Sequence, residues 1–254
     1  MNISILIAAA FLFLKTGEKF ATQETAGETV SELTKYVSEK AGTSLEPRVM
    51  NDPVKAAEFS AAKKPAAGIV TPGFYLAYAK ALKMEPILEV KRQKVPEERY
   101  VVVARKDAGD ELRDKIVATS LAGEERYVTG VVMDGREARL RATADPEGAV
   151  FDIVEGAKDA PSAVLMEEAQ WDVFKEDPEL GPKLRVVLRT EVLPGSLVVV
   201  FGDAKVDAGK LKMALQSMNT SDTGKAILRN IRVEAFVDVD KDRLGKAEAK
   251  FHGK

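Results

Sequence analysis

Residues 66–82 read AAGIVTPGFYLAYAKAL, and this stretch decides the class of fold. The short apolar run Ala66–Val70 predicts a buried strand, and Thr71–Gly73 then supplies a capping hydroxyl and a proline where a helix would begin. The helix is predicted over Phe74–Leu82. A buried strand that passes into a helix through so short a turn is typical of α/β layers with parallel strands.

The same alternation continues on both sides of this stretch. Apolar residues at helical spacing predict a helix over Glu24–Ala41, and Asp52-Pro53 is a cap-and-proline signal for a helix over Val54–Lys63. Strands are predicted at Leu45–Met50 and Pro86–Lys91. The N-terminal third of the chain is therefore predicted to be β-α-β-α-β-α-β, with a parallel sheet.

The apolar segment Ile3–Leu14 (ISILIAAAFLFL) allows two interpretations. It is too short to span a bilayer, which takes about 20 residues. It has the character of a buried parallel strand, which is apolar throughout, or of the core of a secretory signal segment. No Lys or Arg precedes it and KTGEKFATQ after it is a poor cleavage site, so we favour a first strand and expect no signal segment in this chain.

The rest of the sequence predicts a second α/β half followed by a return to the first. Two polar, proline-containing segments between strands, Arg92–Glu98 and Thr190–Ser196, are predicted to be a matched pair of crossovers between lobes. The predicted strands are Tyr100–Arg105, Ile116–Ala118, Arg139–Thr143, Ala163–Met166, Leu184–Leu188 and Leu197–Phe201, with Val233–Val237 a strand or turn. The predicted helices are one beginning near Ala122, then Pro146–Glu155 ended by Gly156, Glu167–Phe174, Asp207–Met218, Asp222–Ile231 and Lys241–Phe251.

Composition removes several classes of function. The 254 residues carry 38 Lys and Arg against 40 Asp and Glu, one His and no Cys. Thiol catalysis, cysteine-ligated metals and histidine-dependent nucleophiles are excluded, and most catalytic zinc sites need more histidines. A net charge of −2 gives no general attraction to nucleic acid. We therefore expect a binding protein that is not an enzyme, with no cofactor, no metal and no nucleic-acid partner.

The junctions between strands and helices supply the candidate ligand groups. The turn Thr71–Tyr75 combines a hydroxyl, backbone N–H groups and two aromatic rings at a helix N-terminus, which suits an anion, and Thr119-Ser120 is a similar junction in the second half. Simple helix capping explains both junctions equally well. Micromolar binding takes about 8 kcal/mol and one charge-assisted hydrogen bond gives roughly 1.5–3 kcal/mol, so groups from both halves would have to converge.

The order of these signals resembles the phosphonate/phosphite-type substrate-binding proteins of ABC importers, which have the class-II periplasmic-binding-protein fold. The resemblance lies in Ser221-Asp222-Thr223-Gly224, in Ala235-Phe236-Val237-Asp238, in TPGFYLAYAKA after the strand AGIV, and in EGAKDAPSAVLME. It implies a two-lobed type 2 α/β fold with two crossover strands. Lobe one would be residues 1–92 plus 195–254, and lobe two would be residues 93–194.

The resemblance also implies a function. The protein would be a receptor that captures a small ligand, anionic and phosphonate- or phosphate-like, between the lobes and delivers it to an ABC permease. It would be a periplasmic or extracellular monomer that meets a membrane only through a partner or an upstream anchor. A ligand-sensing domain with a sensor protein as partner stays an alternative, as does, more remotely, an enzyme on the same fold. The implied ligand groups are Lys15, Thr16, Gly17, Thr71, Gly73, Phe74, Tyr75, Thr119, Ser120, Thr190 and Glu191.

Overall fold

The computed structural model describes residues 8–15, 23–204 and 206–253, which form two compact units. Within these residues the first unit holds 8–15, 23–96 and 195–240, and the second holds 97–194 and 241–253. The strands are β1 (Ala9–Leu14), β2 (Leu45–Met50), β3 (Ala67–Val70), β4 (Met84–Arg92), β5 (Tyr100–Arg105), β6 (Ile116–Thr119), β7 (Arg139–Ala142), β8 (Ala163–Glu167), β9 (Leu184–Arg189), β10 (Leu197–Phe201) and β11 (Val233–Val237). The helices are α1 (Gln23–Ala41), α2 (Pro53–Lys63), α3 (Pro72–Tyr78), α4 (Glu125–Tyr127), α5 (Pro146–Glu155), α6 (Glu168–Lys175), α7 (Ala208–Gln216), α8 (Asp222–Asn230) and α9 (Lys241–Phe251).

The first unit is built on a mixed sheet with the order β11-β4-β10-β3-β1-β2. Strand β1 runs parallel to β2 and β3, whereas β10 is antiparallel to both β3 and β4. The four strands of the N-terminal third run in one direction, as the prediction of a parallel sheet requires, and the antiparallel members are β10 and β11, which flank β4. Strand β4 does not pair with β3, because β10 returns from far along the chain and lies between them.

The core of the first unit packs helices α1, α7 and α8 with the sheet. Leu33 and Val37 of α1 and Leu211 of α7 are fully buried together with Phe11 of the first strand. Residues 9–14 thus form the predicted strand, which lies between β3 and the edge strand β2, and residues 3–7 of the same prediction lie outside the described residues.

The second unit repeats the plan with a sheet of order β7-β6-β8-β5-β9. Strand β6 is parallel to β7 and β8, and β5 is antiparallel to β8 and β9. Helices α5 and α6 pack on this sheet through Val150, Trp171 and Phe174. The predicted crossovers meet in an antiparallel bridge between Glu98 and Leu193.

Most predicted elements are present, and the differences have local causes. Helix α3 ends at Tyr78 instead of Leu82, and Lys83 takes a left-handed φ of 51° just before β4 begins. The helix predicted near Ala122 is a composite, which we call the irregular helix. It runs through a 3₁₀ turn (Ala122–Glu124), α4 and a π turn (Val128–Val132). Its β-branched run, Val128-Thr129 and Val131-Val132, has low helix propensity.

The C-terminal helix is grouped differently from the predicted lobe boundaries. Residues 241–254 were assigned to lobe one, whereas α9 packs with the second unit, next to the π turn. None of the described helices has the length and apolar composition needed to cross a membrane.

Candidate functional site

The carboxyl edge of the first sheet brings two predicted ligand segments together. Strands β1 and β3 are parallel, with Phe13 opposite Ile69, so Lys15 and Thr71 leave the sheet side by side. The Lys15 N–H donates to the Met50 carbonyl oxygen of β2 at 3.0 Å, which holds the end of β1 against its other neighbour. Thr16 and Gly17, the other predicted groups of this segment, lie outside the described residues.

The turn at Thr71 is a capped helix start. Its hydroxyl oxygen accepts a hydrogen bond from the Phe74 N–H at 3.2 Å, and its carbonyl oxygen accepts one from Tyr75 at 3.0 Å. Phe74 is 1% exposed and its ring packs on Tyr78 with centroids 5.0 Å apart, and Tyr75 is also buried. The aromatic side chains therefore pack inside the unit, so the hydroxyl and backbone of Thr71–Gly73 are the groups best placed to meet a ligand.

A buried acid near this edge was missed by the sequence reasoning. Glu89 of β4 is only 5% exposed, and its Oε1 accepts a hydrogen bond from the Gly195 N–H at 2.8 Å. A Cβ at Gly195 would lie 2.9 Å from the Val90 carbonyl oxygen, so only glycine lets the returning chain approach β4 this closely. The available signal was a carboxylate between the apolar residues Leu88 and Val90.

In the second unit Thr119 and Ser120 lie where β6 ends, at the carboxyl edge of its sheet. Thr119 is 1% exposed, and its hydroxyl oxygen accepts a hydrogen bond from the Leu121 N–H at 3.2 Å. Its carbonyl oxygen accepts one from Thr143 at 3.1 Å, while Ser120 is half-buried. Thr119 thus fixes the turn that leads into the irregular helix.

The predicted pair Thr190-Glu191 lies at the same edge, with both side chains engaged. The buried Thr190 hydroxyl oxygen accepts a hydrogen bond from the Tyr100 N–H at 3.0 Å, which ties the second crossover to β5. Glu191 is exposed and pairs with Lys250 of α9 at 3.1 Å. These contacts give Thr190 and Glu191 structural roles, and their contact with a ligand stays a prediction.

A group of charges beside Thr190 was not foreseen. Glu168 pairs with Arg189 at 2.9 Å and lies 3.9 Å from Arg99, whose Nη1 also donates to the Thr190 carbonyl oxygen at 3.3 Å. Arg99 makes a further ion pair with Glu97. Two guanidinium groups therefore stand at this edge, where carboxylates partly neutralise them. The sequence pattern placed these residues at strand ends but gave no reason to group them.

The irregular helix buries an ionisable side chain beside the candidate site. Tyr127 is 3% exposed, and burial raises the pKa of its hydroxyl far above the usual range, with the nearby carboxylates of Glu124 and Glu98 adding to the shift. Both the neutral tyrosine and the aliphatic residues around it belong to the core of the unit. Tyr127 is therefore a packing residue that is kept protonated.

A separate cavity of about 340 Å³ opens at the opposite edge of the second sheet. Leu112 and Ile153 form part of its wall, and the charged side chains Arg105 and Asp107 on its rim pair with each other at 2.7 Å. Open α/β sheets bind ligands at the carboxyl ends of their parallel strands. This cavity lies at the amino ends of the parallel strands of the second sheet, so we do not assign the ligand to it. No group of three or more acidic or histidine side chains in the described parts of the chain is arranged to hold a metal ion.

The fold of two such α/β units is the type 2 periplasmic-binding-protein fold, as comparison with solved structures shows. XAC2383 from Xanthomonas citri, solved bound to ATP, is 13% identical with a TM-score of 0.73, covering 97% of this chain and 98% of that chain. PhnD1 from Prochlorococcus marinus, in complex with methylphosphonate, is 13% identical with a TM-score of 0.63, over 96% and 98%. A binding-protein component of an ABC phosphonate transporter from Pseudomonas aeruginosa is 12% identical with a TM-score of 0.64, over 96% and 87%.

The chain belongs to the phosphonate family of periplasmic substrate-binding proteins of ABC transporters, whose model matches residues 20–244. It is accordingly a solute-binding receptor of a periplasmic family, and the family implies a small-molecule ligand and an ABC permease as partners. A comparison with curated protein sequences finds no match to the chain.

Proposed function

We propose that this receptor binds a small phosphonate- or phosphate-like anion with groups from both compact units and performs no chemistry on it. The two units are the two lobes of the receptor in this proposal. The ligand groups are Lys15 and the Thr71–Gly73 turn in one lobe and the Thr119-Ser120 turn in the other. The sole histidine, His252, is exposed near the C-terminus, far along the chain from each of these turns.

The observation that carries the proposal is the meeting of Lys15 and Thr71 at the carboxyl edge of the first sheet. The parallel register of β1 and β3 places an ammonium-bearing residue next to a capped helix start. Small anions are stabilised by a cation, a hydroxyl and a backbone N–H group. The N–H at this helix start is that of Gly73, because Pro72 has none and those of Phe74 and Tyr75 are bonded to Thr71. In the second unit the Thr119 hydroxyl oxygen accepts a hydrogen bond from the Leu121 N–H in the turn after β6, which supports a second group of ligand contacts there.

Titration calorimetry and thermal unfolding with methylphosphonate, phosphite and phosphate test the proposal. Methanesulfonate, similar in shape to methylphosphonate but limited to a single charge, is the control ligand, and ATP tests a larger phosphate ligand. A bound anion at 100 times its dissociation constant should raise the free energy of unfolding by about 2.7 kcal/mol. If none of the phosphorus compounds raises the unfolding temperature, the proposed ligand class is wrong.

Matched variants locate the site. Lys15→Met should weaken binding by at least tenfold, because one charge-assisted hydrogen bond contributes roughly 1.5–3 kcal/mol. Lys55→Met is the control, since Lys55 is exposed on α2. Thr71→Val should weaken binding, whereas Thr71→Ser keeps the hydroxyl and should retain it. If Lys15→Met and Lys55→Met bind the phosphorus compounds with equal affinity, Lys15 does not contact the ligand.

A further inference from the structure

The irregular helix is not a continuous α-helix. Its backbone changes from a 3₁₀ turn to an α turn to a π turn between Ala122 and Val132. Such changes give poorer hydrogen-bond geometry than a continuous α-helix, and π turns are frequent at functional sites. This helix begins two residues after Ser120, so a displacement of the helix would be passed to the Ser120 end of the turn, whereas Thr119 is held by its hydrogen bonds with Leu121 and Thr143.

The last two residues of α9, Lys250 and Phe251, contact this segment at two points and contact Asp134, two residues beyond its end, at a third. The Arg126 guanidinium lies over the Phe251 ring, 4.5 Å from its centroid. The backbones approach closely at Gly130, where a Cβ would lie 3.5 Å from the Lys250 carbonyl oxygen. The Lys250 ammonium then pairs with Asp134, just beyond the π turn, at 2.9 Å.

Lys250 also connects the helix to the second crossover. Its Nζ lies 3.1 Å from a carboxylate oxygen of Glu191, so one ammonium group joins α9, the end of the irregular helix and the residue after Thr190. The two carboxylates stabilise the charged ammonium, and the pKa of Lys250 is raised, chiefly by Asp134. Phe251 is buried beside these contacts.

We propose that α9 is a positioning element for the ligand-binding turn Thr119-Ser120, acting through the irregular helix without touching the ligand. This inference rests on the proposed function, because it assigns the turn to the ligand. Helix α9 thereby contributes to the affinity of the receptor, since a turn that is held in place only part of the time binds with an affinity reduced by that fraction. Lys250 and Phe251 are the residues through which α9 acts.

Amide hydrogen exchange and methylphosphonate titration of the full-length protein test this role together. Lys250→Met removes both ion pairs. The amide exchange rate of residues 122–132 and the dissociation constant should each rise by about fivefold, because exposed or half-exposed ion pairs are individually weak. Lys250→Arg keeps the positive charge, so both the exchange of residues 122–132 and the dissociation constant should stay near their wild-type values. Lys246→Met, at an exposed position of the same helix, is the control and should change neither.

Phe251→Leu provides a second probe that preserves most of the buried apolar volume while removing the ring under Arg126. It should raise exchange in residues 122–132 more than in the core of the first unit. Exchange that rises evenly over the whole chain, or stays unchanged in 122–132 for both Lys250→Met and Phe251→Leu, overturns the proposal. Faster local exchange with an unchanged dissociation constant also overturns it.

The two proposals fail differently. If the wild-type protein does not bind methylphosphonate or the other phosphorus compounds, the proposed function is wrong. The exchange pattern of Lys250→Met and its rescue by Lys250→Arg still decide whether α9 holds the irregular helix in place.

Discussion

The buried hydroxyl of Tyr127 should make the protein lose stability at alkaline pH. In the unfolded chain a tyrosine ionises near pH 10, whereas burial, with Glu124 and Glu98 nearby, raises the pKa of Tyr127 well above that in the folded state. A folded-state pKa that is raised gives stability that is fully present below pH 10 and lost as pH rises above it. The loss approaches about 1.4 kcal/mol per pH unit, or roughly 2 kcal/mol by pH 11.5.

Urea unfolding at pH 7, 9 and about 11.5 measures this effect when wild type is compared with Tyr127→Phe. The variant cannot form a buried phenolate, so its free energy of unfolding should fall by roughly 2 kcal/mol less than that of wild type between pH 9 and 11.5. Tyr78→Phe, at a half-buried position on α3, is the control and should follow wild type. If wild type and Tyr127→Phe lose equal stability over this range, Tyr127 is accessible to water and the reasoning fails.

Two further predictions concern close contacts inside each unit. Gly68→Ala should lower the free energy of unfolding by about 1–3 kcal/mol, because the added Cβ would lie 2.6 Å from the Leu12 carbonyl oxygen in the neighbouring strand β1. An unchanged urea midpoint would contradict this, because it would mean that β3 can shift at no cost. Thr190→Val should lower the free energy of unfolding by about 1 kcal/mol, because it removes the hydroxyl that accepts a hydrogen bond from the N–H of half-buried Tyr100, and Thr190→Ser should keep most of that stability. Equal thermal stability of the two variants would contradict this.

The sequence predicts local structure well where a residue caps or ends a helix through contacts with its immediate neighbours. Asp52 caps α2 through hydrogen bonds from the N–H groups of Val54 and Lys55, as the cap-and-proline signal predicts. Gly156 ends α5 in the left-handed region with a φ of 69°, a conformation that glycine adopts without a steric cost. Such signals act within a few residues, so they can be recognised in one chain without knowledge of its partners.

The order of the strands is set by contacts that the local pattern does not contain. Strand β10 begins about 100 residues after β4 ends, yet it lies between β3 and β4. Its apolar sequence, LVVVF, is compatible with any central position in either sheet. The placement of α9 is similar, because its apolar face would suit either unit, whereas the contacts of Lys250 with Asp134 and of Phe251 with Arg126 lie in the second unit.

The sequence points to the hydroxyl and glycine residues of the candidate site but not to its charged residues. Hydroxyls and glycines at strand ends, such as Thr71 and Thr119, are visible because they also cap helices and shape turns. The charged residues Glu89, Arg99 and Glu168 carry no such local signal. The contact of Glu89 with Gly195 follows from the pairing of β4 with β10 in the first unit, and that of Arg99 with Glu168 follows from the pairing of β5 with β8 in the second. Ion pairs between distant segments emerge only when the strand order is known.

The Thr71 hydroxyl caps α3 and the Thr119 hydroxyl closes a short turn, and neither contact excludes a further contact with a ligand. In both turns the hydroxyl oxygen accepts a hydrogen bond from a backbone N–H. A hydroxyl that accepts in this way keeps its own proton as a donor, and an anion needs donors. The cap also fixes the oxygen in one position, so less side-chain entropy remains to be lost when a ligand binds. A capped turn at the carboxyl end of a parallel strand is therefore a more effective anion donor than a mobile hydroxyl at the same place.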